Sequence, residues 1–470
     1  MKSRFGLRGV LVLALGLGLL VGAPPPLAAA EDGVFHVPVE YYKLPNGLRV
    51  TLSPDHSSPT ICLAVYYRIG FRIEPRDRTG FAHLFEHMMF QGSRNLGKME
   101  FIKLVQQNGG ILNGSTRFDF TNYFEILPAN KLETALWAEA DRMSGLAVTE
   151  ENLKNQQGVV GNEVKVNVLN RPYGGFPWLD MPQYANTNWY NAHNFYGDLK
   201  DIESAKLDEV QAFFKTYYAP NNASLVVVGD FEPAQARQWI AKYFGGIKAE
   251  DVPPIPDLTE PKQEHEKRAT KIDPLAKKPA LAIAYHMPER NTPEYYAMGL
   301  ISELLLDGDD SLLHEELVQK KGFTGNVSGG INLLGTPWNY SGPMLFIANL
   351  VYDFSTPPDT ILQSIDGVMD SLRTKPVDQK TLDRMLVKAR SATYDSIGSA
   401  GGFGLADLLA SFALFDDNPA RVNSIIQDYE KVTPALIEKT AQEYLRPENR
   451  TILLLQPQQA QSAAATPAKQ

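Results

Sequence analysis

A phrase that occurs twice constrains the fold of this chain more than any other feature. Tyr217-Tyr218-Ala219-Pro220-Asn221-Asn222-Ala223-Ser224-Leu225 is matched by Tyr444-Leu445-Arg446-Pro447-Glu448-Asn449-Arg450-Thr451-Ile452. Both read Tyr-x-x-Pro-x-Asn-x-(Ser/Thr)-aliphatic, and Tyr217 and Tyr444 lie 227 residues apart. A helical stretch precedes each phrase, and an apolar β-like run follows it, Leu225 to Val228 and Ile452 to Leu455. The matching flanks imply duplication of a whole domain. The openings of the halves agree. Pro59 leads into an apolar strand to Tyr67, a charged loop and a helix; Pro279 leads into Ala280 to Tyr285, a charged loop and a helix starting near Thr292-Pro293-Glu294.

At 470 residues the chain is too long for one ordinary core, which agrees with two domains. Each half mixes strands and helices without a regular βαβ alternation, so the fold class read here is α+β. Pro45-Asn46-Gly47, between Tyr41 and Val50, signals a hairpin. Between the halves, Asp251 to Asp273 carries Pro253, Pro254, Pro256 and Pro261 among many charges and reads as a linker. The expected organisation is a signal peptide over 1–30, a first domain over 31–250, a linker over 251–275, a second domain over 276–456 and a disordered tail over 457–470.

Lys2, Arg4 and Arg8 make a positive start, Val10 to Val21 is almost wholly Leu, Val, Ala and Gly, and Ala28-Ala29-Ala30 is a small-residue cleavage pattern. This is the layout of an export signal rather than an anchor, because a bilayer core needs roughly twenty apolar residues. No other stretch is long and apolar enough for a span. The expected location is therefore outside the cytoplasm, periplasmic or secreted. Removing the three basic residues takes the formal charge from −9 to −12. An acidic chain of this kind is not expected to bind nucleic acid. Cys62 is the only cysteine, so no internal disulfide can form, and its apolar surroundings suggest a buried thiol.

The chemistry is concentrated in His83-Leu84-Phe85-Glu86-His87, on a helix that Thr79 is expected to cap. His83 and His87 are four residues apart, so both imidazoles project from one helix face and can hold one cation. Glu86 lies beside that face, placed to take a proton from water activated at the metal without being a ligand. The spacing is the inverse of His-Glu-x-x-His and occurs among metallopeptidases. A surface helix with two solvated histidines is the alternative, but Phe, Leu and Met surround the trio, and burying it without metal is costly. A third ligand is needed. None of His36, His56, His193, His265, His286 and His314 sits in a convincing setting, and pattern alone does not choose among Glu150, Glu151 and Glu163.

The run from Gly80 to Gly97 resembles the pitrilysin, insulysin and mitochondrial-processing-peptidase family, especially its bacterial single-unit members. Further matches are Gly109-Gly110-Ile111-Leu112-Asn113-Gly114-Ser115-Thr116, Asp119-Phe120-Thr121-Asn122-Tyr123, Ala140-Asp141-Arg142-Met143 and Val159-Val160-Gly161-Asn162-Glu163 followed by Asn170-Arg171-Pro172-Tyr173-Gly174. The resemblance spans about residues 36 to 456. It implies two similar α+β domains closing like a clamshell around a chamber. It also implies a single Zn²⁺ per chain held by His83, His87 and Glu163, the last 76 residues after His87, with Glu86 as general base. The activity it implies is hydrolysis of extended peptides. Family members add substrate as a strand on a sheet edge, which here implies the Gly109 to Thr116 segment, with Asn113 and Gly114 as contacts.

The sequence departs from the family at three places. Gln156 stands where many relatives carry a second acidic residue, and Gly114 stands where many carry Ala. The Arg and Tyr with which relatives hold the substrate carbonyl have no clear counterpart, Tyr340 being a weak candidate that reads better as a core or rim aromatic. One reading completes the site from outside: a zinc-binding subunit active only with a paralogous partner, as a homo- or heterodimer. The rivals are a non-catalytic assembly or binding subunit, against which the full ligand set speaks, and a zinc hydrolase for small molecules, against which the strand-edge segment speaks. Gly398-Ser399-Ala400-Gly401-Gly402-Phe403-Gly404 lacks the Lys-Ser/Thr of a phosphate loop and reads as a helix entry.

Overall fold

The computed structural model describes residues 36–458, so the export segment and the end of the tail lie outside the described residues. From Val37 onward the described chain forms one compact unit. Its frame is two sheets. The first uses β1 (Glu40–Lys43), β2 (Arg49–Pro54), β3 (Thr60–Tyr67), β4 (Ile111–Thr116), β5 (Thr121–Pro128) and β6 (Ala223–Gly229), in the order β1-β2-β6-β3-β5-β4. The second uses β7 (Lys267–Asp273), β8 (Ala280–His286), β9 (Ser328–Ile331), β10 (Leu345–Val351) and β11 (Arg450–Pro457), in the order β7-β11-β8-β10-β9.

The duplication is explicit in the pairing. β2 runs parallel to β6, as β7 does to β11. β3 is antiparallel to β6 and β5, as β8 is to β11 and β10. β4 and β9 each close one edge on a single antiparallel neighbour. Thus β2-β6-β3-β5-β4 and β7-β11-β8-β10-β9 are the same topology, and β1 is an addition supplied by the hairpin at Pro45-Asn46-Gly47.

Seven helices matter to the argument: α1 (Phe81–Met88), α2 (Glu150–Val164), α3 (Asp180–Ala185), α4 (Leu207–Tyr217), α5 (Pro293–Leu306), α6 (Phe403–Asp416) and α7 (Pro434–Tyr444). The repeated phrase joins α4 to β6 and α7 to β11, and its asparagine explains why it repeats. Asn222 Nδ2 donates to the Tyr217 carbonyl (2.9 Å) and the Arg68 carbonyl (3.4 Å). Asn449 Nδ2 donates to the Tyr444 carbonyl (2.7 Å) and the His286 carbonyl (3.2 Å). Each amide satisfies a carbonyl in the last turn of a helix and ties it to the end of β3 or β8.

Both faces of each sheet are covered. On β3, Ile61, Leu63, Val65 and Tyr67 pack with Phe81 and Phe85 of α1, while Cys62, Ala64 and Tyr66 pack into a core containing Leu408, Leu409 and Phe412 of α6. α6 comes from the second half, yet lies against β3 and β6 of the first. The exchange is returned: Met181 and Ala185 of α3 pack with Ala282, Ala284 and Leu453 of the second sheet. Each half therefore covers one face of the other's sheet. This explains why α6 is apolar all round, as a fully buried helix must be. Leu405, Leu408, Leu409, Phe412 and Leu414 each gain roughly 1.5–3 kcal/mol from burial.

Polar links reinforce the exchange. Tyr66 donates to Asp407 Oδ1 (2.6 Å), and Asn339 Nδ2 donates to Asp407 Oδ2 (2.9 Å). The buried Arg72–Asp119 pair (2.8 Å) reaches across as well: Arg72 Nη1 donates to the Pro343 carbonyl (2.7 Å), and the Ser341 amide donates to Asp119 Oδ2 (2.8 Å).

One element departs from expectation. Lys267–Asp273, assigned above to the linker, is β7, an edge strand with β11 as its only neighbour. Arg268, Thr270 and Ile272 are exposed and alternate with half-buried residues. The charges of this stretch read as linker, yet Lys267 and Lys271 are half-buried and Arg268 is exposed, charged residues being common on an edge strand. Among the described residues no single helix is long and apolar enough to cross a membrane.

Candidate metal centre

α1 begins in a way the sequence did not reveal. Thr79 does not cap it; its hydroxyl donates to Asp201 Oδ2 (2.6 Å) and accepts from the Asp198 amide (2.9 Å). The cap is Glu74, buried six residues ahead of Gly80, whose two carboxylate oxygens accept from the amides of Gly80 (2.9 Å) and Ala82 (2.6 Å). Its two carboxyl oxygens thereby satisfy two orphan donors of the helix start. Gly80 is needed for the turn: its φ is 85°, and a Cβ would lie 2.7 Å from Ile202 Cδ1.

From that start, Phe81, Leu84, Phe85 and Met88 point into the core and turn His83 and His87 toward α2, which lies against α1. Thr149 caps α2 by accepting from the Asn152 amide (3.2 Å). Near its other end, Glu163 meets both imidazoles. His83 Nε2 is 3.4 Å from Glu163 Oε1, and His87 Nε2 is 3.3 Å from Glu163 Oε2. One donor atom from each of the three residues lies within 4.8 Å of the others. The His83 side chain is 5% exposed, His87 21% and Glu163 32%, so the cluster is anchored in the core and open on one side.

These separations suit zinc. Two donors held about 2.0–2.1 Å from a tetrahedral ion lie about 3.3 Å apart, and His₂Glu is one of the ligand sets of catalytic zinc. The imidazole–carboxylate spacings match that figure and are longer than ordinary hydrogen bonds. The two histidines, and then Tyr196, hold the Glu163 carboxyl well below the usual range despite its partial burial, so it is ionised at neutral pH. Burial first, and the bond to Glu163 second, push the Tyr196 phenol up, so it remains a donor.

Two contacts to the site were not legible in the sequence. The Tyr196 hydroxyl donates to Glu163 Oε1 (2.9 Å), and its ring lies 5.0 Å from that of His83. The Thr116 hydroxyl, at the end of β4, donates to Glu86 Oε2 (2.7 Å). Tyr196 sits 33 residues after Glu163, outside any motif, and Thr116 reads as an ordinary strand residue.

Asn113 and Gly114 lie on β4, whose outer edge is unpaired in the sheet. Asn113 Oδ1 accepts from the Gly114 amide (2.9 Å), and a Cβ at Gly114 would come within 3.1 Å of Tyr123 Cδ1. Gln156 is buried on α2 and donates to Asn155 Oδ1 (2.7 Å). Tyr340 is 1% exposed and packs beside Tyr295, so it is a core aromatic and presents nothing to the site. A cleft of about 840 Å³ opens between Arg68, the 255–263 segment and the second half, but none of the predicted site residues lines it.

Comparison with known proteins places the chain in a family. Residues 49–176 match insulinase (peptidase family M16), and residues 204–386 match the peptidase M16 inactive domain. The chain belongs to the M16 peptidase family. Within M16, it is 26% identical over 463 residues to the zinc protease PqqE of Helicobacter pylori, covering 97% of this chain and 99% of that protein. It is 28% identical over 236 residues to an insulin-degrading enzyme homolog of Dictyostelium discoideum, but that match spans only 23% of the longer protein. The crystal structure of a protease from Helicobacter pylori superposes with a TM-score of 0.82 at 25% identity, covering 90% of this chain and all of that one. The two-domain α+β fold is thus that of the M16 peptidases.

Proposed function

We propose that this M16 chain is a zinc-dependent endopeptidase, with His83, His87 and Glu163 holding one zinc ion and Glu86 serving as general base. The convergence of three donor groups of the right chemistry carries this reading: one atom from each lies within 4.8 Å of the others, and the two imidazoles stand 3.3–3.4 Å from the two oxygens of Glu163. When bound, zinc supplies Lewis acidity that polarises a carbonyl and lowers the pKa of water to about 7. Glu86, one oxygen of which is held by Thr116, takes a proton from water with the other and delivers it to the amide nitrogen that leaves. The open edge of β4 suits an extended peptide added as a strand, with Asn113 and Gly114 at its middle. The N-terminal pattern supports an exported, periplasmic or secreted protein.

A second reading has its own support. Tyr340 is buried, and the Glu163 helix and its continuation carry the exposed apolar side chains Val159, Val166 and Leu169. The chain would then supply the zinc half of an active dimer, with the carbonyl-holding pair coming from a paralogous partner. Incubating the purified chain with an unstructured peptide, alone and with such a partner, separates the two. Cleavage at an undiminished rate by the chain alone would sink the dimer reading; cleavage only with the partner supports it.

A further inference from the structure

We propose that two hydroxyl groups divide the work of positioning the site: Tyr196 fixes the metal-binding carboxylate of Glu163, and Thr116 fixes the base Glu86. This rests on the zinc reading above. Each carboxylate is tied through one oxygen by a side chain from an element other than its own. Tyr196 OH takes Glu163 Oε1 at 2.9 Å and leaves Oε2 facing His87. Thr116 Oγ1 takes Glu86 Oε2 at 2.7 Å.

Neither carboxylate is fixed by its helix alone. Glu163 stands one residue before the end of α2, where the helix widens into a π-turn over Lys165–Leu169. π-Turns of this kind are rare and frequently mark functional sites. Tyr196 has the rigidity to hold Glu163, because its ring is packed against Phe71, His83 and Trp178. Its one ring therefore steadies His83 while its hydroxyl steadies Glu163. Thr116 lies at the end of the edge strand β4. Its single proton can serve either Glu86 at 2.7 Å or the Ala82 carbonyl at 3.5 Å, and the shorter contact to a carboxylate wins. The base is thereby tied to the same strand that offers its edge to a peptide.

Hydrogen bonds from outer residues typically govern metal affinity or activity by 10–100-fold, and here the two effects fall on different residues. Tyr196→Phe keeps the ring and removes the hydroxyl. It should weaken zinc binding by roughly 10–100-fold, measured on the full chain by competition with a chromogenic chelator, with the melting temperature of the metal-free protein unchanged. Thr116→Val keeps the branched shape. It should leave zinc affinity and KM as they are and lower kcat on an unstructured peptide by roughly 10-fold or more, while Thr116→Ser restores kcat. Zinc affinity in Tyr196→Phe within twofold of wild type overturns the first assignment. Loss of kcat that Thr116→Ser does not restore, or a rise in KM with kcat intact, overturns the second. Failure of the wild-type chain to bind zinc would instead defeat the reading on which both rest.

Discussion

Glu163→Ala should leave the chain folded and unable to retain zinc. The residue contributes little to the core, since its side chain is 32% exposed and its helix is held by Leu153, Val160 and Val164 on the buried face. It is, however, the group that faces both imidazoles. Removing it leaves two histidines on one helix face, which is short of the three protein ligands of a catalytic zinc site. The loss of zinc affinity should exceed the roughly 10–100-fold typical of an outer hydrogen bond. Metal analysis after dialysis against a weak chelator reads this directly, with circular dichroism to show that the fold persists. Glu163→Ala that keeps zinc as tightly as wild type would remove Glu163 from the ligand set.

The second large effect is on the reaction. Glu86→Gln preserves size and can still pair with Thr116, but it cannot accept a proton. Loss of a general base costs roughly 10²–10⁴-fold in rate. Zinc content should not change, because Glu86 is outside the donor cluster of His83, His87 and Glu163. The pair of variants thus separates holding the metal from using it: Glu163→Ala loses both, and Glu86→Gln loses only turnover. Unchanged peptide cleavage by Glu86→Gln would assign the base elsewhere.

What the sequence reveals and conceals follows from the range of the interactions. The duplication is legible because the Tyr-x-x-Pro-x-Asn phrase is a local device: Asn222 and Asn449 bond carbonyls five residues back, and so need the same neighbours in both halves. His83, Glu86 and His87 are legible because helical periodicity alone sets them on adjoining faces. Glu163 is not, since its meeting with His83 depends on how α2 packs on α1, and only family likeness singled it out. Tyr196 and Thr116 were invisible for the same reason, each reaching its carboxylate across a tertiary contact. Thr79 failed as a cap because Glu74 reaches the same amides from a preceding turn while Asp201 draws the Thr79 hydroxyl away. β7 was hidden because an edge strand with one exposed side has the composition of a linker. The exchange of α6 and α3 between the sheets could be suspected only from the all-round apolarity of α6, which tells that a helix is buried but not in whose core.

The most direct test of the central claim is to strip the wild-type chain with chelator and return zinc in steps, following bound metal and cleavage of an unstructured peptide, with the partner present if the chain requires one. The account predicts negligible cleavage without zinc and a rise that saturates at one zinc per chain. Cleavage that persists in the stripped protein, or zinc that binds one-to-one without restoring it, would contradict the assignment of His83, Glu86, His87 and Glu163 as a peptidase centre.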